Sequence, residues 1–199
     1  MQKRIVAPAL IVFCMIVSQN AWAAPSSRAK PHHRTHAAQS SNSGIGFRSL
    51  GANLGFVDAD NVPGTMGMGV FANMGNITSD IRLVPVVNYW SKSETFAGDK
   101  VSVRDISFGT RGQYMFRVNS PKFQPFMGAG LGMHFVRGEV SSVSPPMSIS
   151  TTETKLGVDM GGGFVTPLSH KTDLCFDMWY TMASDVNHIS MKAGISFDL

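Results

Sequence analysis

His188 and Ser190, two residues apart, are the one pair in this 199-residue sequence whose types and spacing suit nucleophilic catalysis. Residues i and i+2 of an extended strand share a face, so an imidazole base and a hydroxyl nucleophile at that spacing can meet. Parity argues against the pair, because Ser190 falls in file with Lys192 and Gly194 while the apolar Ile189 and Met191 face the other way. A metal reading attaches to His32, His33 and His36. Imidazoles in a Pro-, Ser- and Arg-rich tract without a carboxylate or Cys beside them read as a polar linker, and no metal site is assigned. With no phosphate loop, zinc-ligand spacing or nucleic-acid motif, neither a cofactor nor a nucleic-acid partner is expected. There remain six charged residues, Arg82, Asp105, Arg111, Asp159, Asp177 and Lys192. What they do depends on the elements that carry them.

Those elements read as strands. From residue 189 to 199, Ile189, Met191, Ala193, Ile195, Phe197 and Leu199 make one apolar file, and Ser190, Lys192, Gly194, Ser196 and Asp198 make a polar one. This is period-two alternation, and it is long. A soluble strand is usually near five or six residues, whereas a tilted strand crossing a bilayer takes roughly nine to eleven. The same pattern predicts seven earlier strands, at about 46–57, 65–74, 80–91, 101–116, 123–137, 153–166 and 174–182. Pro85 removes a ladder donor in the third and predicts a bulge there. Leu50, Leu54, Met68, Val87, Phe108, Leu131, Val158 and Phe176 belong to apolar files; Asn53, Asn88, Gln113, His134 and the six charged residues belong to the opposite, polar and Gly-rich ones.

Apolar files outward and polar or Gly files inward are the membrane-barrel arrangement; a soluble lipocalin-like barrel would invert it. Phe56, Tyr89, Tyr114, Phe116, Phe123, Phe164, Tyr180 and Phe197 lie mostly near strand ends on the apolar face, as interfacial girdles do. The inward charges, three acids and three bases, then read as an ion-paired filling of a narrow interior. If the last hairpin centres near Asp185, Lys192 is the closest basic neighbour of Asp177.

Before residue 44 the sequence is different in kind. Residues 1–23 read as a secretory signal peptide, with Lys3 and Arg4, an apolar stretch from Ile5 to Val17, and Ala21-Trp22-Ala23 as cleavage site. Residues 24–43 have no periodicity and read as a flexible periplasmic tail. The formal charge of +4 is carried by this region. Lys3, Arg4, Arg28, Lys30 and Arg34 precede the first acid, and residues 44–199 hold twelve Lys and Arg against thirteen Asp and Glu. No basic surface for nucleic acid follows. Loss of the leader removes Cys14 and leaves Cys175 without an intramolecular partner.

The closing Lys192-Ala193-Gly194-Ile195-Ser196-Phe197-Asp198-Leu199 resembles the C-terminal assembly signal of bacterial outer-membrane β-barrels, with Leu199 where that family usually has Phe. The resemblance makes Lys192, Gly194, Phe197 and Leu199 the positions read by the barrel assembly machinery. The stretch Phe126-Met127-Gly128-Ala129-Gly130-Leu131-Gly132-Met133-His134 is similar to the Gly-rich fifth strand of small barrels. Residues 44–199 as a whole resemble the small outer-membrane β-barrel superfamily of opacity-type surface antigens and OmpA- and OmpX-like proteins. That implies an all-β fold, an eight-stranded antiparallel up-and-down transmembrane barrel. It further implies a Gram-negative outer-membrane location, a monomeric state, and contact with lipid and lipopolysaccharide.

Connections at 58–64, 91–100, 138–152 and 183–187 are expected at the cell surface, and those at 75–80, 117–122 and 166–173 in the periplasm. The expected function is structural or surface-interacting, through loops that meet a host or surface ligand, with no catalysis. A narrow porin-like channel or small-ligand transporter is the alternative, for which inward Gly would leave space. Lipid A deacylases of similar fold carry an outward His-x-Ser pair, so a lipid A-modifying hydrolase is a minor alternative. Here the family's following Asn is Met191, and few residues remain for an acidic partner.

Overall fold

The computed structural model describes residues 44–60, 62–96, 99–120, 122–143, 146–184 and 186–199. The expected signal peptide, the tail and its histidines lie outside the described residues. Eight strands follow in chain order: β1 Gly44–Ala59, β2 Val62–Asn76, β3 Ile81–Phe96, β4 Asp99–Met115, β5 Gln124–Val143, β6 Pro146–Pro167, β7 Thr172–Ala183 and β8 His188–Asp198. Each pairs antiparallel with the next, and β8 returns to β1, closing the barrel.

Alternation decides which face is the core. Leu54 is 53% exposed while its neighbour Asn53 is 8%, and Met191 is 57% while Lys192 is 6%. The long apolar files thus form the outer surface, and the core is a narrow interior of polar and charged residues in which Val84, Val86, Trp90, Phe126 and Trp179 are also buried. Strand length follows from the medium. From Ile106 on β4 to Phe116 just past its end is ten residue steps, which at roughly 3.4 Å per residue and a tilt of about 40° makes an apolar belt near 26 Å tall.

Three expectations need correction. The segments 91–100 and 138–152 are not loops: β3 and β4 stay paired out to Phe96↔Asp99, and β5 and β6 out to Val143↔Pro146. These stretches are rich in Ser, Thr and Val. Above the lipid both faces meet water, so apolar/polar alternation vanishes although β-propensity remains. Likewise the connection at 58–64 shrinks, because β1 runs to Ala59 and β2 starts at Val62. The bulge expected at Pro85 is present: Pro85 sits in an unbroken ladder opposite Thr110 on one side, and on the other β2 advances from Phe71 to Asn76 while β3 moves only from Val86 to Arg82. The missing N–H is thus accommodated in the partner strand. Below it, Gly75 takes φ +79° in the last residues of β2, and its N–H donates to Asn73 Oδ1 at 3.0 Å.

Candidate functional site

The inward files bring the six predicted charges into one interior, but not as three ion pairs. Only Arg111 and Asp159 join directly, Nε to Oδ2 at 2.8 Å, with Thr181 Oγ1 donating to the second carboxylate oxygen at 2.7 Å. Arg111 also stacks over the Trp179 ring, 4.0 Å from its centroid. Asp105 turns instead to His134, Oδ2 to Nδ1 at 2.8 Å. Arg82 donates to Gln113 Oε1 at 2.7 Å and lies over Phe126. Lys192 donates to Asn88 Oδ1 at 2.6 Å. Asp177 lies opposite Lys192 on the ladder, yet no ion pair within 4.0 Å joins them, and Asp177 Oδ1 is buried without a hydrogen-bond partner.

His134, Asn88, Gln113, Phe126, Trp179 and Thr181 are interior residues to which the sequence alone attached no role. Their parity was legible. Missing was the diagonal relation between strands, for Ser107 stands opposite His134 and Asp105 opposite Val136. Toward the end of the barrel that carries the β1–β2 and β7–β8 connections, His134 and His188 meet edge to face at 5.8 Å, and His188 meets Trp90 at 6.2 Å. Val57 and Ala59 pack on Trp90 there. At the other end Phe126, Val165, Cys175 and Trp179 form a second apolar cluster.

The inward glycines do not leave a pore. A Cβ on Gly161 would stand 2.9 Å from Trp179 Cδ2, one on Gly128 3.1 Å from Trp179 Cη2, and one on Gly157 2.7 Å from His134 Nε2. Those glycines are the space into which Trp179 and His134 grow. Two small interior cavities are of ≈ 10 Å³, beside His134, His188 and Lys192, and ≈ 40 Å³, beside Arg82, Asn53 and Cys175. They are sized for about one to a few waters. Arg111 lines both.

The hydrolase spacing faces this interior. His188 is 8% and Ser190 3% exposed, whereas a lipid would lie against Met191. The four expected assembly-signal positions divide by face. Lys192 and Gly194 point inward, while Phe197 and Leu199 are exposed on the apolar side, where the Leu199 N–H donates to Arg48 O at 2.9 Å. Near them, Tyr114 with Phe116 and Phe164 with Phe123 and Phe176 pack at centroid distances of 5.1–5.2 Å, giving the belt an aromatic edge.

Beyond the opposite edge of the belt, β3 to β6 continue as a four-stranded sheet. β7 pairs with β6 only from Gly157 onward, so 146–156 is an open edge among the described residues. On the sheet face that continues the inward file, Val101, Val140 and Ile149 stand side by side in register, 42%, 47% and 59% exposed.

No family model matches the sequence, and no curated protein matches it either. Solved structures do. Neisserial surface protein A superposes with a TM-score of 0.60 at 16% identity, covering 76% of this chain and 97% of that one. A major outer membrane protein from Thermus thermophilus gives 0.55 at 10% identity, over 77% and 98%. Ail, the attachment invasion locus protein of Yersinia pestis, gives 0.51 at 13% identity, over 77% and 97%. The chain therefore has the fold of the small eight-stranded outer-membrane β-barrels, and its apolar exterior is that of a transmembrane barrel of this class.

Proposed function

From that fold we propose that the protein is a monomeric outer-membrane barrel, delivered by the barrel assembly machinery, whose work is done at the cell surface by the sheet of β3 to β6 and not by catalysis. The termini of the barrel lie on the periplasmic side and the sheet outside. The observation that carries the reading is the apolar row Val101, Val140 and Ile149, left exposed above the lipid belt beside an unpaired β6 edge. Apolar side chains gathered in water mark a contact surface, and an open edge offers main-chain donors and acceptors to a partner strand. A host or surface protein with an extended segment is the partner this suits. Ail, one of the structural relatives, is by its own name an attachment protein, which accords with such a role.

The interior supports this reading over a channel, since Trp179 and the Arg111–Asp159 pair occupy it. The test uses cells displaying the native chain and a Val140→Asp, Ile149→Asp variant. Both should show the shift in gel migration on boiling that folded barrels give, and only the native chain should hold cells to host monolayers or matrix. Equal adhesion would remove the surface from consideration. Steady ion conductance by the purified barrel in a planar bilayer would favour the channel.

A further inference from the structure

The other face of the raised sheet is polar and basic. Ser91, Arg104, Arg137 and Thr152 stand in register across β3, β4, β5 and β6. The row nearer the belt is Tyr89, Ile106, Phe135 and Thr154, with Ile106 40% exposed and Phe135 against the outward Phe108 ring at 6.1 Å. Arg104 and Arg137 thus project outward, one step past the last apolar row. Two residues along a strand are about 7 Å, which places the guanidinium groups at the headgroup level of the surrounding leaflet.

Two arginines directly opposite on one sheet face repel and destabilise the pair unless an anion lies between them. Glu139 meets that need only in part, with Oε2 3.8 Å from Arg137 Nη2, while Arg137 Nε is buried and bonded to nothing. Among the described residues no carboxylate lies within 4.0 Å of the Arg104 or Lys100 nitrogens, and Lys100 shares the same face two steps of the alternation farther out, past Ser102. The rim on the β1 side carries Asp58 and Asp60 instead. The cationic side is therefore confined to the tall strands.

We infer that Arg104 and Arg137, flanked by the Ser91 and Thr152 hydroxyls, form a site on the outer wall of the barrel for a phosphorylated glycolipid headgroup of the outer leaflet. Guanidinium groups bind phosphate bidentately, and hydroxyls beside them suit the sugar that carries it. The site rests on the proposed orientation, with the raised sheet outside the cell.

The full-length barrel in nanodiscs of phosphatidylcholine, with and without lipid A bearing its phosphates, tests the inference, insertion being checked first by protease protection. Phosphorylated lipid A should raise the unfolding temperature and remain bound in native mass spectrometry. Arg104→Ala with Arg137→Ala should weaken retention at least about tenfold, as expected for loss of charge-assisted contacts. Arg104→Lys with Arg137→Lys, which keeps charge and fold, should fall between. Dephosphorylated lipid A or inorganic phosphate should give no shift. An inserted barrel indifferent to lipid A, or variants that retain it as the native chain does, would overturn the site and leave the barrel reading intact. An equal response to inorganic phosphate would overturn the lipid assignment, as would preference for a soluble sulfated sugar. Failure to insert in any bilayer would overturn the membrane reading and this site with it.

Discussion

Lys192 stands directly opposite Asp177 on the β7–β8 ladder, yet its ammonium reaches across the interior to Asn88 on β3. A cross-strand neighbour and a hydrogen-bond partner are thus different residues. A long lysine stem lets the headgroup leave its own row, and in a barrel the far wall is as near as the next strand. Double-mutant cycles separate the two relations. Asn88→Ala with Lys192→Met should show a coupling of about 1.5–3 kcal/mol, the range for a hydrogen bond to a charged group. Asp177→Ala with Lys192→Met should couple less. The reverse order, measured by urea unfolding in vesicles, would mean that the ammonium swings back to Asp177.

Arg111 and Asp159 are joined by both Coulombic and hydrogen-bonded contact. Arg111→Met should destabilise the barrel by about 3–5 kcal/mol, because it strands a buried carboxylate. Adding Asp159→Leu should recover most of that loss, since a well-packed apolar pair replaces two desolvated charges. Strictly additive losses in the same unfolding assay would mean that water, and not Arg111, neutralises Asp159.

The eight strands and their facing were legible because lipid imposes strict alternation, and a one-residue slip would expose every inward charge; the last hairpin was legible only so far as making Lys192 the nearest basic neighbour of Asp177 across the ladder. Asp105 and Asp177 were legible as inward for the same reason. Their partners were not. Alternation assigns a face, whereas Asp105–His134 and Lys192–Asn88 depend on stagger between strands and on which side chain fills the space over a glycine. The raised sheet escaped notice for the opposite reason: residues 138–152 have no lipid on either side, and so no alternation to read.

Asp80 lies in the β2–β3 turn, outside the belt. The Ser79 hydroxyl and then the Arg117 guanidinium, bonded at 2.8 and 2.7 Å, hold its carboxyl below the ordinary value of 3.8. A depressed acid stabilises the fold above its unfolded value, and that contribution is lost as pH falls through the folded one. The Asp80 carbon resonance should therefore titrate below 3.8, and Arg117→Ala should move its midpoint upward. Because the carboxylate is only partly covered and its partner Arg117 is exposed, solvent screens the pair and neutral-pH stability should hardly change.

Phe197 and Leu199 carry the last expectation from the sequence. Both sit at the edge of the belt, where a charge on the lipid face costs only about 0–1 kcal/mol. Replacing both with Asp should leave export intact and abolish the heat-shifted band of the folded barrel. Given so small a solvation cost, that failure would report recognition by the assembly machinery. Normal surface labelling of the variant would reduce the segment to an ordinary strand.

Closure of the ring by β1 against β8, from Ser49↔Asp198 to Ala59↔His188, joins the two ends of the barrel sequence. Every other ladder forms between neighbours in the chain, so hairpins can assemble at once while the seam must wait. Bringing such distant segments together costs loop entropy before any contact repays it, which makes the seam the slow event in folding. Until then β1 and β8 each present an unpaired edge, through which one copy of the chain can pair with another.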